Sequence, residues 1–200
     1  MVVYFLDNDI IIKLSAYNLF WDAMKAWGIP DPSIRVLPTA SSFIRRDSRI
    51  KAQYDQETCT RACHVTDKSD KAKNPGNLEY QQLLSIMEQG EALLISATGA
   101  ESDFYITTAD KRCLKALAAS GMTATLSRLE HRIICLEQLV VRLVQQSTDF
   151  AKVSRRIIQA APCEVSVTEA FKLADQAAVI RRLQGEIDLL RSQTGSLLVL

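Results

Sequence analysis

The chain has 200 residues, 48% hydrophobic and 24% charged, with a formal net charge of +1. This is an ordinary globular composition, with enough apolar material for one core or for one domain plus an extension. The charge balance excludes a broadly basic surface, so any basic face must be local. The five cysteines are odd in number and irregularly spaced, which predicts reduced thiols and a cytoplasmic setting. The opening MVVYFLDNDI lacks a basic n-region and is interrupted by Asp7, so it does not read as a signal peptide. No apolar stretch reaches the roughly 20 residues of a membrane span.

In chain order, Val2 to Leu6 is an uninterrupted run of β-branched and large apolar residues, as expected for a strand buried on both faces. The chain then turns at Asp7-Asn8-Asp9 and enters a helix. A second helix over Asn18 to Gly28 ends at Gly28-Ile29-Pro30. Ile34 to Leu37 reads as a short strand, and Ser41 to Cys63 as one basic helix. His64 to Asn77 has almost nothing to bury and reads as an exposed loop. Asn77 is placed to cap a helix from Leu78, which Gly90 is expected to break. Glu91 opens the next helix, to Ala97. Phe104 to Thr107 is a strand followed by Thr108-Ala109-Asp110, Lys111 to Ser120 is a helix, and Arg132 to Cys135 is a further strand.

From Leu136 the pattern is helical throughout. One helix carries Leu139 to Val144 and a second carries Phe150 to Ile158, stopped by Pro162. Ser166-x-x-Glu169 reads as a capping box for a third helix, with Leu173, Ala177, Ile180, Leu183, Ile187 and Leu190 spaced by threes and fours. That seam suits packing on the chain's own core, self-association or a partner protein.

Alternating strands and helices predict an α/β fold with a central, mainly parallel sheet. Asp7 and Asp110 each follow a strand, and Glu91 opens the helix before the second of them. Right-handed crossovers bring such strand ends to one edge of the sheet. Three carboxylates there repel one another unless a cation intervenes, and oxygen-only donors suit Mg²⁺ or Mn²⁺. Such a centre hydrolyses phosphodiesters. The alternative is that Asp7 and Asp110 simply cap their helices. Cys59-x-x-x-Cys63-His64 has no matching second ligand pair for zinc, and His131 lacks a catalytic partner.

Three stretches in order carry a resemblance: Phe5-Leu6-Asp7-Asn8-Asp9, Gly90-Glu91-Ala92-Leu93-Leu94 and Thr107-Thr108-Ala109-Asp110-Lys111. Together they resemble PIN-domain proteins, over about residues 2–136. The resemblance implies a PIN-like three-layer α/β/α domain over residues 1–136. Residues 137–200 would form a helical extension packing on it or on a partner. It implies a divalent-metal-dependent ribonuclease, such as a toxin or defence effector held in check by a partner, with RNA as substrate; the lack of a long apolar stretch predicts no membrane association. Asp7, Glu91 and Asp110 match the metal-binding acids, and Thr107 or Thr108 matches the accompanying hydroxyl. Asp9 stands where the family usually has Asn, and is an alternative metal ligand. Arg45, Arg46, Arg49, Lys111 and Arg112 are candidate phosphate contacts. The chain departs from the pattern at Leu37 to Phe43, where many members carry a further acid and this sequence has none. Asp47, Asp9 or Asp103 would have to replace it. The departure suits a second reading, a catalytically degenerate module that binds protein or RNA.

Overall fold

The computed structural model describes residues 1–160 and 163–200. The first strand, β1 (Val3–Leu6), lies at the centre of a sheet, and its run of buried side chains is what a strand covered on both faces requires. It is followed by α1 (Asn8–Ala16) and α2 (Phe20–Trp27), and Gly28 closes α2 in the left-handed region at φ 69°. Next comes β2 (Ile34–Val36).

The expected single basic helix is instead three: α3 (Ala40–Arg46), α4 (Ser48–Gln53) and α5 (Gln56–Lys68). Asp47 and Asp55 interrupt it because each carboxylate accepts backbone N–H groups and starts a new helix. The expected loop from His64 is helical to Lys68 and then supplies β3 (Asp70–Lys71), an edge strand of two charged residues. Asn77 caps α6 (Leu78–Leu83) as expected. Gly90 does not break the following helix but lies inside α7 (Gln89–Ala97). A Cβ there would stand 3.0 Å from Leu37 Cδ1, so this helix comes close to the end of β2.

The remaining elements are β4 (Phe104–Thr108), α8 (Lys111–Ala119), α9 (Thr123–Arg128) and β5 (Ile133–Cys135), then α10 (Leu136–Gln146), α11 (Phe150–Gln159), α12 (Val165–Phe171) and α13 (Gln176–Thr194). The helix stop assigned to Pro162 lies outside the described residues. The long third C-terminal helix divides in two. Asp175 caps α13, whereas Ser166 turns its hydroxyl to Glu137 and Glu164 instead of a helix end.

The sheet has five parallel strands in the order β3-β2-β1-β4-β5, with helices on both faces. Leu6 stands opposite Val36 on one side and Thr107 on the other. From β1 the chain steps outward to β2 and β3. It then returns to β4 on the other side and steps outward again to β5. Right-handed crossovers therefore place α1 to α5 on one face and α6 to α9 on the other.

The residues after Leu136 belong to the same core as the rest. Leu139 and Val140 of α10 pack toward α2, and α13 lies on α10 and α8, burying Val179, Leu183, Ile187 and Leu190. Leu183, Ile187 and Leu190 of the expected seam are thus covered by the chain itself, while Leu173 lies between helices and is 42% exposed. The chain end continues the sheet. Leu198 bridges Ile133 in parallel, and His131 and Ile133 donate N–H groups to Ser196 and Leu197. This pairing covers the outer edge of β5, which would otherwise offer open N–H and C=O groups.

Candidate active site at the switch point of the sheet

In an open parallel sheet, the chain leaves two neighbouring strands in opposite directions at one place, opening a crevice at their carboxyl ends. Here that place lies between β1 and β4. Asp7 follows β1, and Thr107 and Thr108 end β4; the Asp7 N–H donates to the Thr107 carbonyl at 3.0 Å. The position of both strand ends follows from the order in which the strands pair, and no local sequence signal encodes it.

Asp7 is buried, and its side chain does not cap α1. Its Oδ2 accepts a hydrogen bond from Thr108 Oγ1 at 3.0 Å. The same Thr108 oxygen accepts the Asp110 N–H at 3.0 Å. One hydroxyl thus ties the carboxyl of Asp7 to the backbone of Asp110. Thr107, one residue earlier, points to the other face, where its hydroxyl is buried without a partner. Of the two threonines, only Thr108 touches an acid.

Asp110 is the N-cap of α8. Its Oδ1 accepts the N–H groups of Arg112 at 2.8 Å and Cys113 at 2.9 Å, which leaves Oδ2 outside the cap. Glu91 stands in the first turn of α7, and its Oε2 is buried with no hydrogen-bond partner. Asp7, Glu91, Thr108 and Cys113 border one small cavity of about 10 Å³, which is walled mainly by apolar side chains such as Leu94 and Ile106. Asp9 is exposed on α1, paired with Lys13 at 3.3 Å.

The electrostatics are those of too much negative charge in too little water. Burial, then the charges of Asp9 and Glu91, push the Asp7 carboxyl up to about 8. Burial also raises Glu91, with Glu88, Asp110 and Asp9 adding to it. The Cys113 thiol is raised by burial and by Glu91, Asp110 and Asp7, so it is not a thiolate nucleophile.

Among the described residues, no group of three or more His, Cys, Asp or Glu side chains is gathered to hold a metal ion. The three expected acids share an edge but do not form a closed cage. The donor chemistry nonetheless fits a hard divalent ion. Mg²⁺ is commonly held by one or two carboxylates, with water and phosphate oxygens completing its shell. Asp7 and Glu91, with the unpartnered Glu91 Oε2, can supply that pair.

A second charged cluster adjoins the first, and sequence reasoning missed most of it. Lys13 on α1 pairs with Asp9 and with Glu164. Lys111 on α8 pairs with Glu137, which is 1% exposed, and lies 3.8 Å from Glu164. Burial opposes charge on both lysines, but Asp9 and Glu164 at Lys13, and Glu137 and Glu164 at Lys111, outweigh it and raise both. Burial likewise opposes charge on Glu137, but Lys111 and Ser166 hold it below the usual carboxylate range. Glu137 carried a legible signal, since it lies two residues past β5 as Asp110 lies two past β4. Glu164 carried none, because only the path of the C-terminal helices brings it here.

The expected phosphate contacts separate. Lys111 is engaged with Glu137 and so does not project freely to solvent. Arg112 is exposed beside Asp110. Arg49 turns back to Asp47, and Arg46 is exposed on α3. Arg45 bonds Asp67 at 2.6 Å and lines a groove of about 680 Å³ with Lys51, Tyr54 and His64. Tyr54 is buried at this groove, and its hydroxyl is raised by burial first and then by Cys163, Asp9 and Glu164.

No family model, curated protein or solved structure matches the chain. No helix among the described residues is long and apolar enough to cross a membrane.

Proposed function

We propose that this protein is a divalent-metal-dependent nuclease that hydrolyses phosphodiester bonds in RNA, with Asp7 and Glu91 as the acids that hold Mg²⁺ or Mn²⁺ and Asp110 beside them. The observation that carries the reading is the buried Asp7 carboxyl at the switch point, bordering the same small cavity as Glu91, whose Oε2 has no hydrogen-bond partner. Two acids so placed disfavour each other's ionised form, and a cation reverses that cost. When bound, such an ion lowers the pKa of water and stabilises charge at phosphorus.

The chain's own residues prepare the centre. Thr108 donates to Asp7 Oδ2, which fixes the carboxyl at the cavity and leaves Oδ1 outside that bond. Through its acceptance of the Asp110 N–H, Thr108 also fixes the start of α8 relative to Asp7. Without a cation, Asp7 keeps its proton to about pH 8, so ion binding at neutral pH releases a proton.

A second reading, a binding module without catalysis, draws on one observation: Asp110 spends Oδ1 on its own helix, and the described residues hold no three-acid cage. Cleavage of mixed RNA and single-stranded DNA with Mn²⁺, beside Asp7→Asn and Glu91→Gln, separates the two. The nuclease reading expects metal-dependent cleavage of RNA, lost in both variants. Equal traces for all three proteins would leave only the binding module.

A further inference from the structure

The chain carries a net charge of only +1, yet cations gather along one face, where three cavities follow one another. The groove of about 680 Å³ beside α3, α4 and α5 is lined by Arg45, Lys51 and His64. A second cavity, of about 440 Å³, shares Thr60 and His64 with it and is walled by Phe20, Trp21 and Val65. A third, of about 400 Å³, shares Asp22 and Arg156 with the second and is lined by Lys25 of α2 and Lys152 of α11. The shared residues make them neighbours along one furrow. Six cations line it, Arg61 being the sixth, against the three acids Asp22, Asp67 and Asp149. Arg45 and Arg156 pair with Asp67 and Asp22, and Arg61 with Glu57. Lys25, Lys51 and Lys152 are exposed and form no ion pair among the described residues. In the middle cavity Trp21 is 38% exposed. Beside it, Arg61 Nε donates to the Ser15 carbonyl at 2.9 Å and Arg156 Nη1 to the Asn18 carbonyl at 2.8 Å, which holds both guanidinium groups in place.

We infer that this furrow binds single-stranded nucleic acid, with one base against Trp21 in the middle cavity and phosphates beside Lys51 at one end and Lys152 at the other. The inference rests on the proposed nuclease function only for the class of polymer. Three features of the furrow support it. A local excess of cations on a nearly neutral chain suits a polyanion. The unpaired lysines lie in the outer cavities and the exposed indole in the middle one, an order that matches charged phosphates on either side of a flat apolar base. The middle cavity has the size of a small-ligand pocket, and a base still stacked in a duplex cannot enter it, so the strand must be single. An acidic peptide would engage the lysines and leave Trp21 unused.

The test is binding without cleavage. A short fluorescein-labelled single-stranded RNA is titrated in EDTA with the full chain, and its anisotropy is followed over a range of salt concentrations. The same sequence as single-stranded DNA and as a duplex is titrated beside it. Wild type should bind a single strand more tightly than the duplex, and the strand it prefers names the source. Trp21→Ala should bind about tenfold more weakly with the same salt dependence, and Trp21→Phe, which keeps an aromatic face, should recover most of that loss. Lys51→Gln combined with Lys152→Gln should reduce the slope of log K against log salt by about 1.4, two phosphate contacts' worth. No binding by wild type, a duplex bound as tightly as the strand, or an undiminished affinity in Trp21→Ala overturns the inference; the last of these, with a reduced slope in the lysine variant, assigns the furrow to an acidic peptide. If Trp21→Ala does not fold, the exposed lysines decide, and an unchanged slope there overturns the inference equally. The two readings fail separately. Binding with this dependence but no cleavage in Mn²⁺ removes the nuclease and keeps the furrow, whereas Mn²⁺-dependent cleavage by a protein whose strand binding ignores Trp21 and the lysines does the reverse.

Discussion

Replacing Asp7 with Asn should make the protein more stable, although Asp7 is the acid on which the proposed function depends. The carboxyl goes from 3.8 in a free chain to about 8 in the folded one, through burial first and then Asp9 and Glu91. A raised pKa means that the folded state holds a proton the unfolded state has released. The stability tied to this group is therefore whole below about pH 4, declines as pH rises, and is lost by about pH 8. Each pH unit inside that window costs about 1.4 kcal/mol, so the loss near neutrality approaches about 4 kcal/mol. Relaxation and water entry soften such burial effects, which brings the expected gain for Asp7→Asn to roughly 2–4 kcal/mol at pH 7. For a chain of this length that is a rise of roughly 5–15 °C in Tm. Urea unfolding followed by circular dichroism, at pH values spanning about 4 to 8, measures it. The advantage should be near zero at the acid end and grow with pH. Mn²⁺ should narrow it by stabilising the wild type alone. An Asp7→Asn protein less stable than wild type at neutral pH would refute the reasoning, as would an advantage that does not change with pH.

Two other perturbations probe the surrounding structure. Lys111→Met leaves Glu137, 1% exposed, without its ammonium, and should cost about 3 kcal/mol in urea unfolding. The double change Lys111→Met with Glu137→Met should recover most of that, and a double variant as unstable as the single one would show that the pair is not coupled. Leu183→Ala should cost about 2–5 kcal/mol without altering the mass seen in gel filtration, because the side chain is fully buried by its own chain. A changed mass at unchanged stability would place the α13 seam against a partner instead.

Much of the frame was legible because its signals are local. The apolar run of Val2 to Leu6 could only be a covered strand, and acids just after apolar runs located Asp7 and Asp110. Elements were missed where the signal was weak or was overridden. The two-residue β3 is charged and exposed, and only pairing with Arg35 and Val36 makes it a strand. The break at Asp47 and Asp55 was written in the sequence as capping residues, but a long basic pattern masked it. Gly90 looks like a stop in the sequence because glycine is costly inside a helix. Its close approach to Leu37 accounts for a glycine there.

The sequence by itself determined the class of fold, the succession of strands and helices, and which acids end strands, since each depends on residues within a few positions of one another. Only the tertiary structure decided what those acids do. It set β1 beside β4, so that Thr108 and not Thr107 grips Asp7. It turned Asp110 into a cap as well as a neighbour of Glu91. It also carried Glu164, 151 residues along the chain from Lys13, into contact with it. Burial and Coulomb interaction depend on distance in space, and distances of that kind arise only when the strands have paired and the last helices have packed.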